Sequence, residues 1–546
     1  MPPALALASP AVLVAGALAV LVARGRIRQV TAATAWLAVL AGVGGWIAEG
    51  RVPTDLALLA GQGAGSLNLE MNAVTVTFGL AVLVPAALLF TFQERRRDES
   101  MLALWACAAA ITSIEAAGIF GTALALGAAA TLLMVMMGPQ DRVGPRAVWG
   151  SQMAAGLLLI LAAALLASAA GTSIYSAIPS GALSGATFGL LAGAGLLVSG
   201  LVPGRGWPAQ VWLSPKLAGG AMTVAVSTPL GLNLLARTYS AGSGSWPSPW
   251  FHLTLGLIGT ATALAAALRA QAAPQRRICL AEMVPLSAGL ALAAIALGTP
   301  LGVAAGISAV FATASLAAVL PLLPESNSGL GLLGLAVAAG APPGLVFGAR
   351  LLSLEAAFES GTVPALIALV AASAWLLSIA ALARCVWLPA TDPPRGVPDS
   401  RLGSAVGVVL SVAAGVVLGG IESALVVPAT ALLVRFPAGV LTGGWGLVST
   451  ASGEWPALEL ALPTLVLVAL AALLGGPRLG HHGGDSVSPL LGYRLPSGVG
   501  ALTRARSRLA ELGGVFGSGS MGAALGRSQP WLWVVVVVVL AIAVTR

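Results

Sequence analysis

The chain has 546 residues, of which 58% are hydrophobic and 8% are charged, and its mean hydropathy is +0.95. This composition excludes a soluble domain, because a water-exposed surface needs far more charged side chains. Apolar runs of about 17 to 25 residues recur along the chain without apolar and polar alternation, which excludes a β-barrel. The sequence therefore predicts an all-α polytopic membrane protein, since a helix satisfies its own backbone hydrogen bonds in lipid.

Sixteen membrane spans are predicted from these apolar runs. No polar residue separates the two helices that meet at the predicted turn near Gly121. The predicted spans are residues 4–23, 30–48, 71–92, 101–119, 121–138, 151–170, 182–202, 217–237, 251–269, 279–298, 301–323, 329–354, 361–388, 403–434, 457–475 and 530–545.

The net charge of +8 raises the question of nucleic-acid binding, which the placement of the basic residues answers. With the N-terminus outside, 22 of the 27 basic residues fall on the inner side, while Arg350 falls within a span. Cytoplasmic loops of membrane proteins carry such an excess. The pattern predicts a multi-pass cell-membrane protein with both termini outside and no nucleic-acid partner. The first span has no basic region before it, so we expect a retained helix rather than a cleaved signal. The basic residues expected outside are Arg51, Arg237, Arg435 and Arg546.

Several ionisable residues fall within or beside predicted spans, where a charge is costly and often functional. Each is a candidate for ion transport, with a structural ion pair or an interfacial position as the alternative. Glu282 and Glu355 lie near span ends, whereas Glu115, Arg350 and Glu422 lie deeper. The whole set is Glu115, Glu282, Arg350, Glu355, Glu422 and Glu459.

The stretch GAPPGLVFGARLL is unfavourable in a membrane helix. Pro342 and Pro343 have no backbone N–H, so the carbonyls around Ala338 and Ala339 lose their helical partners. Freed carbonyls persist at membrane depth only when they are buried in protein or face a water-filled cavity. The stretch predicts a broken helix of the kind that lines an ion path, with Arg350 facing the cavity. A simple proline kink with an interhelical ion pair is the alternative.

A second stretch of this kind, LVPGRGWPAQVWLSPKLAGG, contains Pro208 and Lys216. It lies five predicted helices before the first, which is the spacing that a pair of five-helix repeats would give. The candidate ion-path residues are Arg350, Lys216, Glu115 and Glu282, and no residue is predicted to be catalytic.

These motifs resemble those of the antiporter-like membrane subunits of respiratory complex I, Mrp-type sodium/proton antiporters and membrane-bound hydrogenases. GWPAQVWLSPK resembles the family's P-F-H-x-W-L-P, with Pro208, Trp212 and Leu213 in register. LNLLARTY resembles the family's Y-x-L-x-R, with Arg237 in register.

Two further motifs extend the resemblance over about residues 70–435. GAPPGLVFGARLL resembles G-L-P-x-x-x-G-F-x-x-K, and NAVTVTF resembles D-x-L-S-x-x-F with Asn72 in place of the acid. The residues in register in the first motif are Gly340, Pro342, Phe347 and Arg350. The resemblance implies two inverted five-helix repeats, each with one broken helix. The implied parts are an N-terminal three-helix segment (1–100), a first repeat (101–240), a second repeat (241–390), and C-terminal helices (391–546) with a cytoplasmic linker (476–529).

The chain departs from the family at its proton-carrying positions. Family members move protons with a glutamate in the fifth helix and with lysines in the seventh, eighth and middle helices. The span 121–138 contains no acid, and Gln210 replaces the motif histidine. The three lysine positions fall near Pro203, Pro229 and Ala312.

Only the last basic site of the family persists, as Arg350. The exchange is not conservative for proton transfer, because burial can tune a lysine to release its proton while arginine stays charged. Glu115 or Glu282 could supply a substitute proton site, but neither occupies the expected position. The chain is predicted to keep the scaffold and to have lost most of the proton relay.

Three functions remain open from the sequence. The first is a subunit of a complex I-related or hydrogenase-related assembly, with other membrane subunits as partners and with proton translocation weakened or lost. The second is a stand-alone secondary transporter in which Arg350 and Lys216 bind an anionic group. The third is a membrane enzyme acting on lipid-linked or glycan substrates, which the lack of clustered carboxylates or histidines in the one long loop disfavours.

No cofactor or metal site is predicted in this chain. It has no G-x-G-x-x-G motif between a strand and a helix, no cysteine cluster and no Walker lysine. Cys107, Cys279 and Cys385 are interpreted as buried apolar residues, and His481 and His482 lack further ligands at metal spacing. The linker sequence ALTRARSRLAELG forms either a short basic helix on the inner membrane surface or part of a solvated linker.

Overall fold

The computed structural model describes most of the chain up to residue 435. Lys216, Glu459, the linker 476–529 and the last two predicted spans lie outside the described residues, apart from residue 466. The described residues are 8–48 except 24, 51, 53–59, 67–138 except 94, 144–201, 206–213, 217–323, 329–388 except 387, 401–435, 442–444, 447–449 and 466.

The described chain is a bundle of helices. In chain order, α1 to α9 are Ala8–Val22, Ile27–Ala48, Ala73–Phe92, Arg97–Glu115, Ile119–Met137, Gly144–Ala170, Gly185–Ser199, Trp207–Trp212 and Leu217–Ala241. Helices α10 to α16 are Pro249–Gln271, Arg276–Ala281, Met283–Ile295, Pro300–Val319, Gly329–Ala339, Leu345–Glu359 and Thr362–Cys385. Helices α17 to α19 are Arg401–Val416, Leu418–Ile421 and Val427–Val434, with a π-helix, Glu422–Val426, before the last.

Among the described residues, nine helices are long and apolar enough to cross a membrane, or ten if a bent pair counts as one span. The predicted multi-pass helical fold is confirmed, whereas the count of sixteen spans and the inversion of the repeats stay predictions. Helices α3, α9, α12 and α13 are buried almost all round and form the centre of the bundle. Helices α2, α6, α10 and α16 have exposed leucine side chains, which is typical of helices that contact lipid.

A short antiparallel hairpin of strands β1 (Thr54–Leu59) and β2 (Leu67–Met71) covers one end of the bundle, called here the hairpin face. Buried Arg237 anchors it from the end of α9. Its guanidinium forms an ion pair with Glu70 of β2, donates to the Ala116 carbonyl at 2.6 Å, and lies 4.7 Å from the Tyr175 ring centroid. The residue that the sequence places in an outer loop is therefore a buried link between α9, β2 and α4.

The predicted turn near Gly121 is wrong by a few residues. Helix α4 ends at Glu115 and α5 begins at Ile119. The residues between them are extended, because Ala116 forms a bridge with Leu69 of β2 and Gly118 forms one with Ile174. Pairing with the hairpin, which local composition does not reveal, sets the turn.

The predicted span 403–434 is bent in the structure. Two helical segments, Leu402–Val416 and Leu418–Val434, meet there at 72°. The break lies between Val416 and Leu418. Gly419, Gly420 and the π-helix follow it in the second segment.

The other end of the bundle, the opposite face, is held together by buried arginines. Arg384, near the end of α16, donates to the carbonyls of Gln271 and Ala273, the latter at 2.7 Å. Arg269 of α10 forms a salt bridge with Glu282, 2.9 Å between nitrogen and oxygen. These contacts join the ends of α10, α11 and α16.

Glycine allows a close contact between helices α10 and α12. A Cβ added at Gly289 would meet the Gly259 carbonyl, and one added at Gly259 would meet the Gly289 carbonyl. Small residues let membrane helices approach this closely, so that van der Waals packing can hold them together.

We expect Gly289→Ala to destabilise the protein by about 1 to 3 kcal/mol, because the added methyl group would force two backbones apart. Gly44→Ala in α2 is the matched control, since a Cβ there meets no atom within 4 Å. Denaturant unfolding of the purified protein, followed by tryptophan fluorescence, measures both. Equal stability of the two variants would contradict the close contact.

Candidate functional site at the broken helices

The interruption between α14 and α15 contains both Pro342 and Pro343. Helix α14 has 11 residues and α15 has 15, which at 1.5 Å per residue places the break about 16 Å from one end of the pair and about 22 Å from the other. It therefore lies near the middle of the hydrocarbon layer. Gly340 adopts a φ of 89°, which a residue with a side chain rarely does.

The Ala339 carbonyl would normally accept a bond from the backbone N–H of residue 343, which proline lacks. Two side chains replace that donor. Trp375 Nε1 of α16 donates to this oxygen at 2.8 Å, and Arg350 Nη1 of α15 donates at 3.0 Å. A carbonyl freed at membrane depth is thus satisfied inside the protein, as lipid requires.

Arg350 is buried, with 4% of its surface exposed. Its Nη1 also lies 3.4 Å from Ser378 Oγ, and its guanidinium carbon lies 5.6 Å from the centroid of the Trp375 ring, within cation–π distance. Nε and Nη2 have no hydrogen-bond partner in the described part of the chain. The side chain borders a narrow apolar cleft of about 30 Å³ between α12, α15 and α16. That Arg350 faces a water-filled cavity stays a prediction.

Helix α17 supports this break from its other side. A Cβ added at Gly415 would meet the Pro343 carbonyl and the backbone of Gly344. The break is therefore held between Trp375 of α16 and the bare backbone of α17.

The interruption between α7 and α8 follows the same chemistry. Gly200 ends α7 in the left-handed conformation with a φ of 69°, and Pro208 lies in the first turn of α8. The Leu201 N–H donates to the Leu196 carbonyl and not to the Leu197 carbonyl, which an α-helix would use. The Leu197 carbonyl therefore lacks its usual donor. Trp207 Nε1 donates to that oxygen at 3.1 Å. Both breaks are thus completed by an indole N–H.

The predicted ion-path residues lie in separate places. Glu282, at the junction of α11 and α12, forms a salt bridge with Arg269. Both residues lie at the end of the bundle that is called here the opposite face. Glu115 is the last residue of α4 at the hairpin face, and its buried Oε2 has no partner among the described residues. Arg350 lies at the α14–α15 break, and Lys216 is outside the described residues.

Sequence reasoning places Glu422 deep in a span but does not select it for the ion path. In the structure it is wholly buried in the π-helix, which follows the 72° break between Val416 and Leu418. Its Oε1 accepts a bond from Ser308 Oγ of α13 at 3.1 Å, its Oε2 has no partner among the described residues, and Glu355 lies within electrostatic range. The length of the predicted span, well beyond what a membrane needs, and its paired glycines could have revealed the break.

Neutral side chains occupy the centre of the bundle. Gln152 Nε2 of α6 donates to Ser227 Oγ of α9 at 2.7 Å, and Thr313 Oγ1 of α13 donates to Ser287 Oγ of α12 at 2.9 Å. The buried amide of Asn233 has no partner in the described chain. Pro229 and Ala312, near which the resemblance puts two of the family's lysine positions, are buried and uncharged.

No protein-family profile and no curated protein sequence matches the chain. Solved structures do match. A chain of the Mrp complex from Dietzia sp. DQ12-45-1b is similar with a TM-score of 0.75 at 21% identity, over 98% of this chain and 62% of that one. This chain therefore spans less than two thirds of the length of the Mrp chain.

Two respiratory complexes contain similar chains. One is the archaeal membrane-bound sulfane sulfur reductase, with a TM-score of 0.70 at 16% identity, over 98% of this chain and 99% of that one. The other is respiratory complex I from Thermus thermophilus with bound aureothin. Its similar chain has a TM-score of 0.57 at 20% identity, over 76% of this chain and 99% of that one. The chain therefore shares its fold with a chain of each of these complexes, as the resemblance of the motifs predicts.

We expect Trp375→Phe to destabilise the protein by about 1 to 2 kcal/mol, because the Ala339 carbonyl keeps only one of its two donors. Trp250→Phe is the matched control, since Trp250 is 72% exposed and such changes are nearly neutral. Arg350→Gln should lower the stability more in the Trp375→Phe variant than in the wild-type protein, because both side chains donate to the same carbonyl oxygen. Strict additivity in denaturant unfolding would contradict the shared role.

Proposed function

We propose that this chain is an antiporter-like membrane subunit of a complex I-related assembly, of the NADH:quinone oxidoreductase or hydrogenase type. Proton translocation through this chain is weakened or lost. The fold, shared with chains of the Mrp complex, the sulfane sulfur reductase and complex I, supports the first part. The second part rests on one observation, that both broken helices persist while the family's lysine positions carry uncharged residues.

A proton relay needs groups that gain and lose a proton near physiological pH. Arginine stays charged in almost any environment, and Arg350 is engaged with the Ala339 carbonyl. The hydroxyl and amide pairs at the bundle centre are neutral and satisfy each other. Redox cofactors in such an assembly belong to partner subunits.

Charge distribution supports an orientation with the hairpin face outside. The opposite face carries clustered basic residues such as Arg95, Arg97, Arg269, Arg277 and Arg384, and cytoplasmic ends of membrane helices are enriched in such residues. This orientation puts the N-terminus outside, and with sixteen spans the C-terminus as well.

Affinity purification of the tagged chain from native membranes in a mild detergent tests the subunit assignment. We expect several other membrane subunits to co-purify in fixed stoichiometry, because complex I-related chains work within multi-subunit assemblies. Native mass spectrometry measures the composition. A stable monomer, isolated alone under conditions that preserve other respiratory complexes, would contradict the proposal.

Proton counting in the intact assembly tests the loss of translocation. We expect Glu422→Gln and Arg350→Gln to leave the number of protons moved per electron unchanged, because the described residues form no continuous set of titratable groups around either one. A lysine-to-alanine change in a sister antiporter-like subunit is the control and should lower that number. A loss caused by either variant would mean that this chain carries a working path.

The second candidate is a stand-alone secondary transporter, which the uncompensated charge of Arg350 beside a cleft favours. The purified chain alone, reconstituted into liposomes, would then support a solute or ion flux that Arg350→Ala abolishes. A folded chain without flux would remove this candidate.

A further inference from the structure

Two of the cysteines come together at the opposite face of the bundle. Cys279 lies in the short helix α11 and Cys385 is the last residue of α16, and both are wholly buried. Cys279 Sγ donates to the Ala381 carbonyl at 3.5 Å, and its thiol is hydrogen-bonded to the Cys385 thiol. Because a helical side chain covers the preceding turn of its own helix, the contact with Ala381 also places Cys279 beside Cys385. The two sulfur atoms are therefore neighbours, although they are far apart in the sequence.

Hydrogen bonds on either side hold the two thiols in place. Arg384 of α16 donates to the carbonyls of Gln271 and Ala273, which precede α11. Gln271 Nε2 donates in return to the Leu377 carbonyl of α16 at 2.8 Å. The end of α16 is thus fixed against the segment that leads into α11, so the contact between the two thiols is built into the fold.

A pair of thiols in contact has a chemistry that a single buried thiol lacks. When one sulfur is oxidised, the neighbouring thiol can displace the oxidised group and form a disulfide. Closing this bond within one folded chain is much faster than closing it between chains, because the two groups are already in position. With the opposite face inside the cell, as proposed above, the resting state of the pair is reduced, and disulfides in such compartments are usually transient and redox-sensing.

The pair lies close to the end of the bundle, which gives a small oxidant a route to it. Val386, directly after Cys385, is only partly buried, and so are Arg277 and Ile278, directly before Cys279. Helix ends open locally at a much lower free-energy cost than helix centres do. Hydrogen peroxide, which is small and uncharged, therefore needs only a brief opening of the last turn of α16 to reach either sulfur.

From these observations we propose that Cys279 and Cys385 are a redox modification site, which a peroxide closes to a disulfide between α11 and α16. Helix α16 also carries Trp375, so the disulfide restrains the helix that completes the α14–α15 break. The site needs no partner protein and no proton path, and it stands or falls independently of the subunit function.

The reaction oxidises two thiols and reduces one peroxide to two waters. One thiolate attacks a peroxide oxygen, which forms an S–O bond, breaks the O–O bond and gives a sulfenic acid. The released hydroxide takes up the proton that this thiol lost and becomes water. The second thiol then attacks the sulfenic sulfur, which forms the S–S bond and breaks the S–O bond, and the leaving hydroxide takes the second thiol's proton.

Treatment of the purified full-length chain in nanodiscs with hydrogen peroxide tests the site. The reaction is stopped with acid, free thiols are alkylated under denaturing conditions, and peptide mass spectrometry maps the products. We expect a disulfide that joins Cys279 to Cys385, formed at least about tenfold faster than Cys107 is oxidised, because Cys107 has no positioned partner thiol. Cys107 is the internal control, since it lies in α4, which packs mainly against α1 and α5. Equal oxidation of the three cysteines would overturn the proposal, as would three intact thiols at a peroxide concentration that oxidises glutathione.

Alanine variants test whether the two thiols react with each other. Cys279→Ala and Cys385→Ala should each abolish the disulfide, whereas Cys107→Ala should form it at the wild-type rate. A disulfide that involves Cys107, or one that links two chains in place of the expected pair, would overturn the assignment. The wild-type comparison with Cys107 remains decisive if an alanine variant at the pair fails to fold.

Denaturant unfolding tests whether the disulfide fits the folded structure. The oxidised chain should unfold at a higher denaturant concentration than the reduced chain, because a cross-link across a long segment restricts the unfolded state. Reduction with dithiothreitol should return the midpoint to its original value. A lower midpoint for the oxidised chain would mean that the bond forms only in a distorted chain, which would contradict a site built into the fold.

Discussion

Every backbone carbonyl at membrane depth needs a hydrogen-bond donor, and both broken helices of this protein depend on meeting that requirement. At each break an indole N–H, from Trp207 or Trp375, reaches a carbonyl that has lost its helical donor. The donor at the α14–α15 break comes from a neighbouring helix, so the break is stable only in the assembled bundle. Gly415 closes the other side by leaving room for the backbone.

Arg350 combines two tasks that conflict in a proton carrier. One nitrogen completes the broken helix, and the remaining two keep a permanent charge beside an apolar cleft. A lysine at this position could gain and lose a proton, whereas arginine cannot. The substitution therefore favours a fixed charge over a moving one. Glu422, buried in the π-helix, and Glu115, at the end of α4, are deep acidic groups with one carboxylate oxygen that has no partner among the described residues.

The basic residues have more than one role in this chain. Counted in loops, they set the orientation in the membrane. In the structure, Arg237 and Arg384 are buried and link helices at opposite ends of the bundle through carbonyl groups. Their long side chains thus serve packing as well as topology.

The sequence by itself determined the membrane class and the position of both helix breaks. These follow from local chemistry, because apolar length, proline without an N–H and residue type at a motif position are all readable in the chain. Glu115, Glu282 and Arg350 could not be assigned roles in this way, since only neighbours distant in sequence distinguish a salt bridge from an orphaned charge.

Only the tertiary structure decided where the turn before α5 lies, that the span around Glu422 bends, and that Trp375 meets Ala339. Each depends on contacts between segments far apart in the chain. Strand β2 of the hairpin sets the turn before α5. The Trp375 indole donates to a carbonyl that lies 36 residues away in sequence. The π-helix places the Glu422 carboxylate against Ser308 of another helix. Hydrogen bonds between helices carry no signature in local composition, and for that reason the sequence could propose the breaks but not what completes them.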